Sequence, residues 1–431
     1  KVETLEQLLP NNKPVSKEFS FRIPENAVYS QPYWLQANGD RPLAEVADQS
    51  MIGLPESPAS YQVRFRLQAA EAPLEFTVPV QYRWVDPVAG ERYRNFEVFP
   101  EVAVRLLEPV TVFAETHARP VRVELKNGAS AVKGELKLNL PQGWKTQPQS
   151  IPFEFQKKNE TAIFVFNVSA SERAASGEYT AEAVFGSNKN SRGMVSIDYP
   201  HIPPQMIFPV AKAKLVHLDL KRANDQIGYV VGSGDQIPDL LKQIGYKVTL
   251  LSDEDLSTAN LSSFDAIILG IRAYNTRPAL KDVRARLMDY VQNGGTLLVQ
   301  YNTLGDFDAT TIGPYPFRIS RERVSVEDAP VTLLNVNHRL LTFPNPIGPS
   351  NFEGWVQERG LYFPNEWDPR YQTIVATNDA GESPKPGGIL FTQYGKGVYI
   401  YTSYSWFRQL PAGVPGAFPL FVNLISAGSK K

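Results

Sequence analysis

The fold of the second half of the chain is decided by the stretch Ile227-Gly-Tyr-Val-Val-Gly-Ser-Gly-Asp-Gln-Ile-Pro-Asp-Leu-Leu-Lys-Gln-Ile244. Its first five residues form a short apolar run that is typical of a buried strand, and Gly232-Ser-Gly-Asp235 supplies the residues of a turn. Apolar residues between Ile237 and Ile244 then recur at helical spacing. A strand followed directly by an amphipathic helix is the unit from which parallel sheets are built.

The same alternation continues towards the C-terminus. Three further apolar runs predict strands, at Tyr246–Leu251, Phe264–Gly270 and Thr296–Tyr301. Between the last two, Pro278–Gln292 places apolar residues on one face of a helix that ends at Gly294-Gly295. Strands that alternate with amphipathic helices predict a parallel, doubly wound sheet, so we expect residues 205–431 to form an α/β domain.

Before residue 205, apolar residues recur at every second position within short runs. Runs such as Tyr61–Leu67 and Phe76–Trp84 alternate apolar and polar residues, as half-buried strands do. A second set of such runs lies between Val110 and the proline-rich linker Tyr199-Pro-His-Ile-Pro-Pro204. The expected fold class is therefore multi-domain, with two all-β, immunoglobulin-like sandwiches at 18–108 and 109–200 before the α/β domain. Residues 1–17 are expected to be an N-terminal extension or linker.

The composition narrows the classes of partner. Lysine and arginine number 44 against 45 aspartates and glutamates, so no global field favours nucleic acid. No apolar run is long enough for a transmembrane helix. The chain has no cysteine, which suits an exported protein of the bacterial envelope, although chance depletion is the alternative. We expect a secreted, periplasmic or cell-envelope location, with an export signal that was removed or that precedes these residues.

Two regions resemble known domain families. Leu140-Pro-Gln-Gly-Trp144, followed by a polar run and another strand, resembles the NPCBM-associated sandwich found beside sugar-acting enzymes. Phe264–Gly270, Tyr290-Val-Gln-Asn-Gly-Gly295 and Thr296–Tyr301 resemble the class I glutamine amidotransferase-like superfold, especially its ThuA-like branch. This second resemblance implies a flavodoxin-like sheet over roughly residues 225–425.

The amidotransferase resemblance also implies where a nucleophile would lie. Catalytic relatives present a cysteine on the turn after such a strand, whereas here the turn reads Tyr301-Asn-Thr-Leu-Gly-Asp306. Thr303 is the nearby hydroxyl, and no GxSxG elbow surrounds it. No catalytic residue is therefore carried over from the family to this sequence.

The C-terminal region carries the closest resemblance. The stretches Asn351–Pro364, Tyr394–Tyr401 and Ser403–Pro415 look like the C-terminal part of large bacterial PIG-L/LmbE-family proteins. That resemblance implies a zinc-dependent N-acetyl sugar deacetylase domain as partner, in the same polypeptide or assembly. The family's metal motif, His-Pro-Asp-Asp with a distant second histidine, occurs nowhere in the sequence. The expected function is accordingly that of a non-catalytic accessory region.

His338 is the best single candidate for a functional imidazole. Its surroundings, Asn335-Val-Asn-His-Arg-Leu-Leu-Thr-Phe-Pro344, resemble the histidine motif of ThuA-like proteins. The alternative is that His338 caps or braces a loop. The other three histidines are dispersed and have no acidic companion at ligand spacing, so we expect no metal and no cofactor.

The expected ligand site is the crevice at the carboxyl ends of the parallel strands, where the turns after Gly270 and Tyr301 leave the sheet. Aromatic and charged residues crowd the C-terminal stretches, and such mixtures suit sugar rings. The same aromatic residues could instead pack domains together. The candidate ligand-binding residues are Arg272, Tyr274, Asn302, Asp306, His338, Glu353, Trp355, Arg359, Trp406 and Arg408.

Two other functions stay open from the sequence. The chain could be a stand-alone hydrolase that acts on carbohydrate through His338 with Asp306, Asp308 or Glu353. It could also be a structural protein of the cell surface. An accessory region that assists a deacetylase and contacts a glycan is the hypothesis that the resemblances favour.

Overall fold

The computed structural model describes the chain except for residues 1, 6, 25, 37–43, 70, 71, 116, 306, 430 and 431. The candidate residue Asp306 therefore lies outside the described residues. The chain divides into two compact units. The first unit comprises Lys1–Glu101 and Gly193–Pro209, and the second comprises Val102–Arg192 and Val210–Lys431.

The strands before residue 220 lie in both units. They are β1 (Gln62–Ala69), β2 (Ala72–Pro79), β3 (Gln81–Asp86), β4 (Gly90–Asn95), β5 (Val102–Leu106), β6 (Val110–Phe113), β7 (Arg119–Asn127), β8 (Val132–Asn139), β9 (Trp144–Gln147), β10 (Ser150–Phe155), β11 (Thr161–Ala170), β12 (Gly177–Phe185), β13 (Asn188–Asn190), β14 (Val195–Ile197), β15 (Gln205–Ile207) and β16 (Lys212–His217).

In the first unit the described strands form three separate two-stranded antiparallel sheets, β1-β2, β3-β4 and β14-β15. Large apolar side chains on the first two pairs stay exposed, among them Phe65, Phe76 and Trp84. A sandwich requires two sheets that face each other across a core. The stretch 18–108, expected as the first sandwich, thus contains two strand pairs at 62–95 in place of two facing sheets, because alternation predicts strands but not their partners.

The second unit contains the β-sandwich. A four-stranded sheet has the order β5-β7-β11-β9, and a six-stranded sheet has the order β10-β8-β12-β16-β6, with β13 paired to β12. Apolar side chains from both sheets, such as Val123, Phe166 and Tyr179, form one core. The sandwich includes β5 and β16, and so extends beyond the expected limits of 109–200 on both sides.

The second unit continues with strands and all the α-helices of the described residues. The strands are β17 (Gln226–Val230), β18 (Lys247–Leu250), β19 (Ala266–Leu269), β20 (Thr296–Gln300), β21 (Phe317–Ile319), β22 (Arg323–Val324), β23 (Val331–Leu333), β24 (Gly360–Leu361), β25 (Pro364–Trp367), β26 (Gln372–Thr373), β27 (Val375–Thr377), β28 (Ile389–Tyr394) and β29 (Gly397–Thr402). The helices are α1 (Ile237–Gln243), α2 (Asp253–Thr258), α3 (Ala273–Thr276), α4 (Arg284–Gln292), α5 (Arg339–Thr342), α6 (Trp406–Gln409) and α7 (Ala417–Ile425).

A seven-stranded sheet organises this part of the unit, in the order β18-β17-β19-β20-β29-β28-β26. The first five strands are mutually parallel, and β28 and β26 continue the sheet antiparallel to their neighbours. The chain between β20 and β28 adds three two-stranded antiparallel pairs, β21-β25, β22-β24 and β23-β27. Parallel pairing brings the carboxyl ends of β17, β19, β20 and β29 to one edge.

The alternation of side chains along the strands divides the sheet between two cores. On one face Ile268 and Ile400 pack with α1 and α7, and on the other Ile267 and Leu297 pack with α2 and α4. The sandwich joins the first of these cores through residues such as Val112. Burial on both faces explains why β19, in the middle of the sheet, is continuously apolar.

The described residues are mostly β, with many sheets, and their α-helices all follow residue 236. The change of period near residue 205 therefore predicted correctly where helices begin. Within the described part of the chain, no helix has the length and apolar character needed to cross a membrane.

Candidate functional site

Two turns leave the sheet side by side, one at 270–276 after β19 and the other at 301–303 after β20. The Arg272 backbone N–H donates to the Tyr301 carbonyl at 2.8 Å, and the Tyr274 N–H donates to Asn302 Oδ1 at 3.0 Å. Asn275 exchanges two further hydrogen bonds with the backbone of Thr303, at 2.9 and 3.1 Å. The two turns form one hydrogen-bonded platform at the carboxyl edge.

Arg272 occupies a strained position on this platform. It lies between β19 and α3 with φ of 55° and ψ of 26°, in the left-handed region that a side chain with a Cβ rarely adopts. Its side chain is exposed and has no hydrogen-bond or ion-pair partner among the described residues. A sharp strand-to-helix turn of this kind presents the nucleophile in α/β-hydrolases. Here the turn presents the guanidinium of Arg272, a cation that cannot act as a nucleophile.

Tyr301 is the centre around which the site residues gather. Its ring stacks on Tyr362, with centroids 6.0 Å apart and an interplanar angle of 13°, and it contacts Phe407 at 5.6 Å. Tyr301 itself is buried, whereas Tyr362 and Phe407 are partly exposed. Burial raises the pKa of the Tyr301 phenol, and the nearby Arg272 guanidinium opposes that rise. The arrangement offers two aromatic side chains to solvent beside a guanidinium that has no partner among the described residues.

The loop before β24 brings a charged pair to the same place. Glu358 accepts a 2.5 Å hydrogen bond from Arg408 Nε, and both charges act on the pKa of Tyr301. Five described non-glycine residues have positive φ, and Arg272, Gln357 and Tyr362 are three of them. Backbone strain is retained where the surrounding structure imposes it, and it clusters at functional sites. Its concentration around Tyr301 marks this edge as the candidate site.

A buried polar network supports the neighbouring loop after β17. The Tyr229 hydroxyl donates to Asp235 and accepts from Gln300 Nε2 at 3.1 Å, while Gln300 Oε1 is buried without a partner among the described residues. Burial raises the pKa of the Asp235 carboxyl. A Cβ at Gly232 would lie 2.0 Å from the Ile271 carbonyl oxygen, so only glycine permits this loop to approach the turn at 270–276 so closely.

The structure brings together part of the predicted set. Arg272, Tyr274 and Asn302 lie on the joined turns, and Arg408 lies beside Tyr301. Tyr274 and Asn302 are buried, at 5% and 0% exposure, so they hold the platform and do not reach a ligand. Asn302 also donates its Nδ2 to the Gln300 carbonyl, and its backbone N–H donates to the Tyr401 hydroxyl.

Three predicted ligand residues lie in the core. Trp355 and Trp406 are 3% and 0% exposed and contact each other edge to face at 5.4 Å. Arg359 is 4% exposed, donates to the carbonyls of Ala329 and Phe352, and lies over the Trp355 ring. The expectation that these three residues bind a ligand is corrected, because their surfaces are already covered by protein.

His338 also supports the fold, as the cap of a helix and a packing partner of Phe391. Its Nδ1 accepts a 3.2 Å hydrogen bond from the Leu340 N–H and caps α5, and its ring packs edge-on against Phe391 at 4.7 Å. Burial lowers the pKa of the imidazole. Glu353 is exposed, and Asp308 caps a short 3-10 turn through Thr310. The hydrolase hypothesis requires a hydrogen bond between His338 and a carboxylate. In the described part of the chain, neither Glu353 nor Asp308 forms one with His338.

Sequence reasoning missed the central position of Tyr301, and it placed Tyr362 and Phe407 in the aromatic group of the C-terminal stretches without choosing them as ligand residues. The crowding of aromatic residues in the C-terminal stretches does not distinguish rings that stay exposed from rings that form the core. Within the described residues, no group of three or more histidine and acidic side chains is placed to hold a metal ion.

A cavity of about 640 Å³ in the first unit is lined by none of the predicted ligand residues that the structure describes. Tyr61, Tyr93 and Phe96 lie on its wall, together with several amide side chains. The lining residues Arg94 and Glu97 form an ion pair with each other at 2.9 Å. This cavity does not combine an unpaired cation with strained backbone as the edge around Tyr301 does.

Searches of family models and of curated proteins found no match. Among solved structures, the chain is similar to a β-galactosidase from Rahnella sp. R3, with 14% identity and a TM-score of 0.29 over 46% of this chain and 31% of that one. An exo-β-1,4-mannosidase from Opitutaceae bacterium strain TAV5 gives 13% identity and a TM-score of 0.31, over 48% of this chain and 37% of that one.

The apo-form Calx CBD1 domain gives 11% identity and a TM-score of 0.18, over 27% of this chain and 98% of that one. The chain spans only 31% and 37% of the lengths of the two glycosidases. TM-scores at this level identify neither a fold nor a function, so the site is interpreted from its own geometry.

Proposed function

We propose that the chain is a non-catalytic accessory region of an exported PIG-L/LmbE-type N-acetyl sugar deacetylase and that it binds carbohydrate at the carboxyl edge of the seven-stranded sheet. One observation carries the binding site: the exposed Arg272, without a partner in the described structure, lies in the cluster with the partly exposed Tyr362 and Phe407 around Tyr301. Sugars offer an apolar face to aromatic rings and polar edges to charged groups.

Two features support binding over catalysis at this edge. The left-handed turn that could present a nucleophile carries Arg272, and Glu358, a carboxylate that acts on the pKa of Tyr301, is engaged by Arg408. A general acid or nucleophile needs a group that can exchange a proton or attack a carbon. A guanidinium with aromatic neighbours recognises a ligand without changing it.

The sheet supports an amidotransferase-like, doubly wound domain as part of this proposal. Numbered along the chain, its five parallel strands have the order 2-1-3-4-5, which is the order of flavodoxin-like sheets. Ligands of such sheets bind outside the carboxyl ends of the strands. The platform formed by the turns at 270–276 and 301–303 lies at that edge.

The deacetylase partner and the exported location rest on the sequence. Stretches 351–364, 394–401 and 403–415 carry the resemblance to the deacetylase family, and the absence of cysteine suits export. Binding between this chain and a PIG-L/LmbE catalytic domain can be measured by analytical ultracentrifugation. We expect a complex at micromolar concentration, and two independently sedimenting species would contradict the accessory role.

A glycan array tests the binding site. We expect the wild-type chain to bind carbohydrate, and Tyr362→Ala and Phe407→Ala each to weaken binding about tenfold or more, as the loss of a contact aromatic residue does. Tyr82→Ala is the matched control, because Tyr82 is 70% exposed and belongs to the first unit. Circular dichroism confirms that each variant is folded. Unchanged glycan binding by folded Tyr362→Ala and Phe407→Ala would contradict the proposed site.

A further inference from the structure

Of the charged side chains around Tyr301, two pair with each other and one has no partner among the described residues. This imbalance restricts the charge of the ligand. We propose that the bound sugar carries an acidic group, a carboxylate or a sulfate, which the Arg272 guanidinium holds. This inference rests on the carbohydrate site proposed above. The sugar ring then lies against Tyr362 and Phe407.

The charges around Tyr301 favour an acidic ligand. Three charged side chains act on its phenol: Arg272, Glu358 and Arg408. Glu358 and Arg408 neutralise each other through their 2.5 Å hydrogen bond. Arg272 has no partner among the described residues, so within that part of the chain its positive charge at the edge is uncompensated. An acidic group on the ligand supplies the missing opposite charge.

The geometry of the turn is the second argument. Arg272 is held in the left-handed region although it is not a glycine, and its N–H is bonded to the Tyr301 carbonyl at 2.8 Å. The neighbouring bonds from Tyr274 and Asn275 to the other turn fix the same segment. A strained backbone so closely held gives the side chain a defined origin on the platform of the two turns, beside Tyr301.

The chemistry of the guanidinium is the third argument. Arginine presents a planar fork of N–H donors that matches a carboxylate or sulfate with two parallel hydrogen bonds. Lysine supplies the same charge as a point and lacks this geometry. Because Arg272 is exposed, salt screens the attraction between its guanidinium and an anion. An ordered pair must therefore rely on the two parallel hydrogen bonds as well as on charge.

The test uses the full chain and the NMR signal of the Arg272 Nε–H, assigned by its loss in Arg272→Gln. The probes are glucuronate and glucose 6-sulfate, with glucose as the neutral sugar. We expect both acidic sugars, and not glucose, to shift the Arg272 signal.

Arg272→Gln should weaken binding of the acidic sugars by about tenfold to a hundredfold, as the loss of a charge-assisted hydrogen bond does. Arg272→Lys should lie between this variant and the wild type. A response to only one acidic sugar identifies a carboxylate or a sulfate as the preferred group.

Arg105→Gln is the matched control for charge, since Arg105 lies on the sandwich and pairs with Glu124 at 2.9 Å. It should bind the acidic sugars as the wild type does. If glucose and glucuronate both shift Tyr362 signals while the Arg272 signal stays unchanged, the acidic ligand is wrong and the carbohydrate site stands. If glycan-array binding is also absent and none of the three sugars shifts either residue, both proposals are wrong.

Discussion

The Tyr229 hydroxyl lies 2.8 and 2.7 Å from the two carboxylate oxygens of Asp235. Tyr229 belongs to β17, while Asp235 belongs to the loop that follows. The same hydroxyl accepts from Gln300 of β20. One buried phenol therefore joins the first loop at the carboxyl edge to the strand that precedes the turn at 301–303.

Replacement of Tyr229 by phenylalanine should weaken this connection. Asp235 would lose an O–H donor and the buried Gln300 amide would lose its acceptor, so we expect the free energy of unfolding to fall by about 1–3 kcal/mol. Urea unfolding followed by tryptophan fluorescence measures the change. Tyr82→Phe, at an exposed tyrosine, should leave the transition unchanged. An unaltered transition in Tyr229→Phe would show that the network does not contribute to stability.

Asp235 should make the stability of the protein depend on pH. Its pKa is raised above the ordinary value of 3.8, chiefly by burial, so the folded state holds the proton more tightly than the unfolded state. The stabilising contribution is present below 3.8 and is lost as pH rises through the folded pKa. We expect the stability of the wild type relative to Asp235→Asn to fall as pH rises through this window. Urea titrations at several pH values measure it, and a constant difference would contradict the shift.

Trp406 and Phe407 are neighbours in sequence with opposite expected roles. Trp406 is fully buried and donates to Thr402 Oγ1 at 2.9 Å, so Trp406→Ala should cost about 3–5 kcal/mol of stability. Phe407→Ala should cost less, because its ring is partly exposed, and should mainly reduce glycan binding. Calorimetric melting and the glycan array separate the two effects. A Trp406→Ala variant that melts like the wild type but loses glycan binding would reverse the assignment.

His338 should give a pH dependence of opposite sign to that of Asp235. Burial lowers the imidazole pKa below its ordinary value of 6.5, so the neutral form is favoured in the folded state. The stabilising contribution is present above 6.5 and is lost as pH falls through the folded pKa. An asparagine side chain caps a helix without titrating, so His338→Asn is the comparison. We expect the wild type to lose stability relative to this variant as pH falls below 6.5, and parallel pH profiles would contradict the prediction.

Periodicity predicted much of the fold. The run Ile227–Val231, the glycine turn and the apolar spacing to Ile244 correspond to β17, a loop and α1. Such signals are local, because burial on one or two faces dictates the order of apolar residues. Strand pairing is not local, so the runs at 61–67 and 76–84 indicated strands without revealing that they form separate two-stranded sheets.

The candidate site was predictable only in part. The carboxyl edge follows from strand polarity, which is why Arg272 and Asn302 were expected together. The fate of each aromatic residue depends on tertiary packing, so Trp406 and Phe407 looked alike in the sequence although one is core and one is surface. The positive φ of Arg272 and Tyr362 has no sequence signal, since neither residue type favours that conformation.

The four hydrogen bonds between the turns at 270–276 and 301–303 have a consequence for kinetics. The conformational entropy of these turns is lost when the chain folds and not when a sugar arrives. Association then needs no closing motion, so weak ligands should exchange rapidly on a surface that is already in its binding shape. A site of that kind, as proposed here, suits repeated brief binding better than long retention of one molecule.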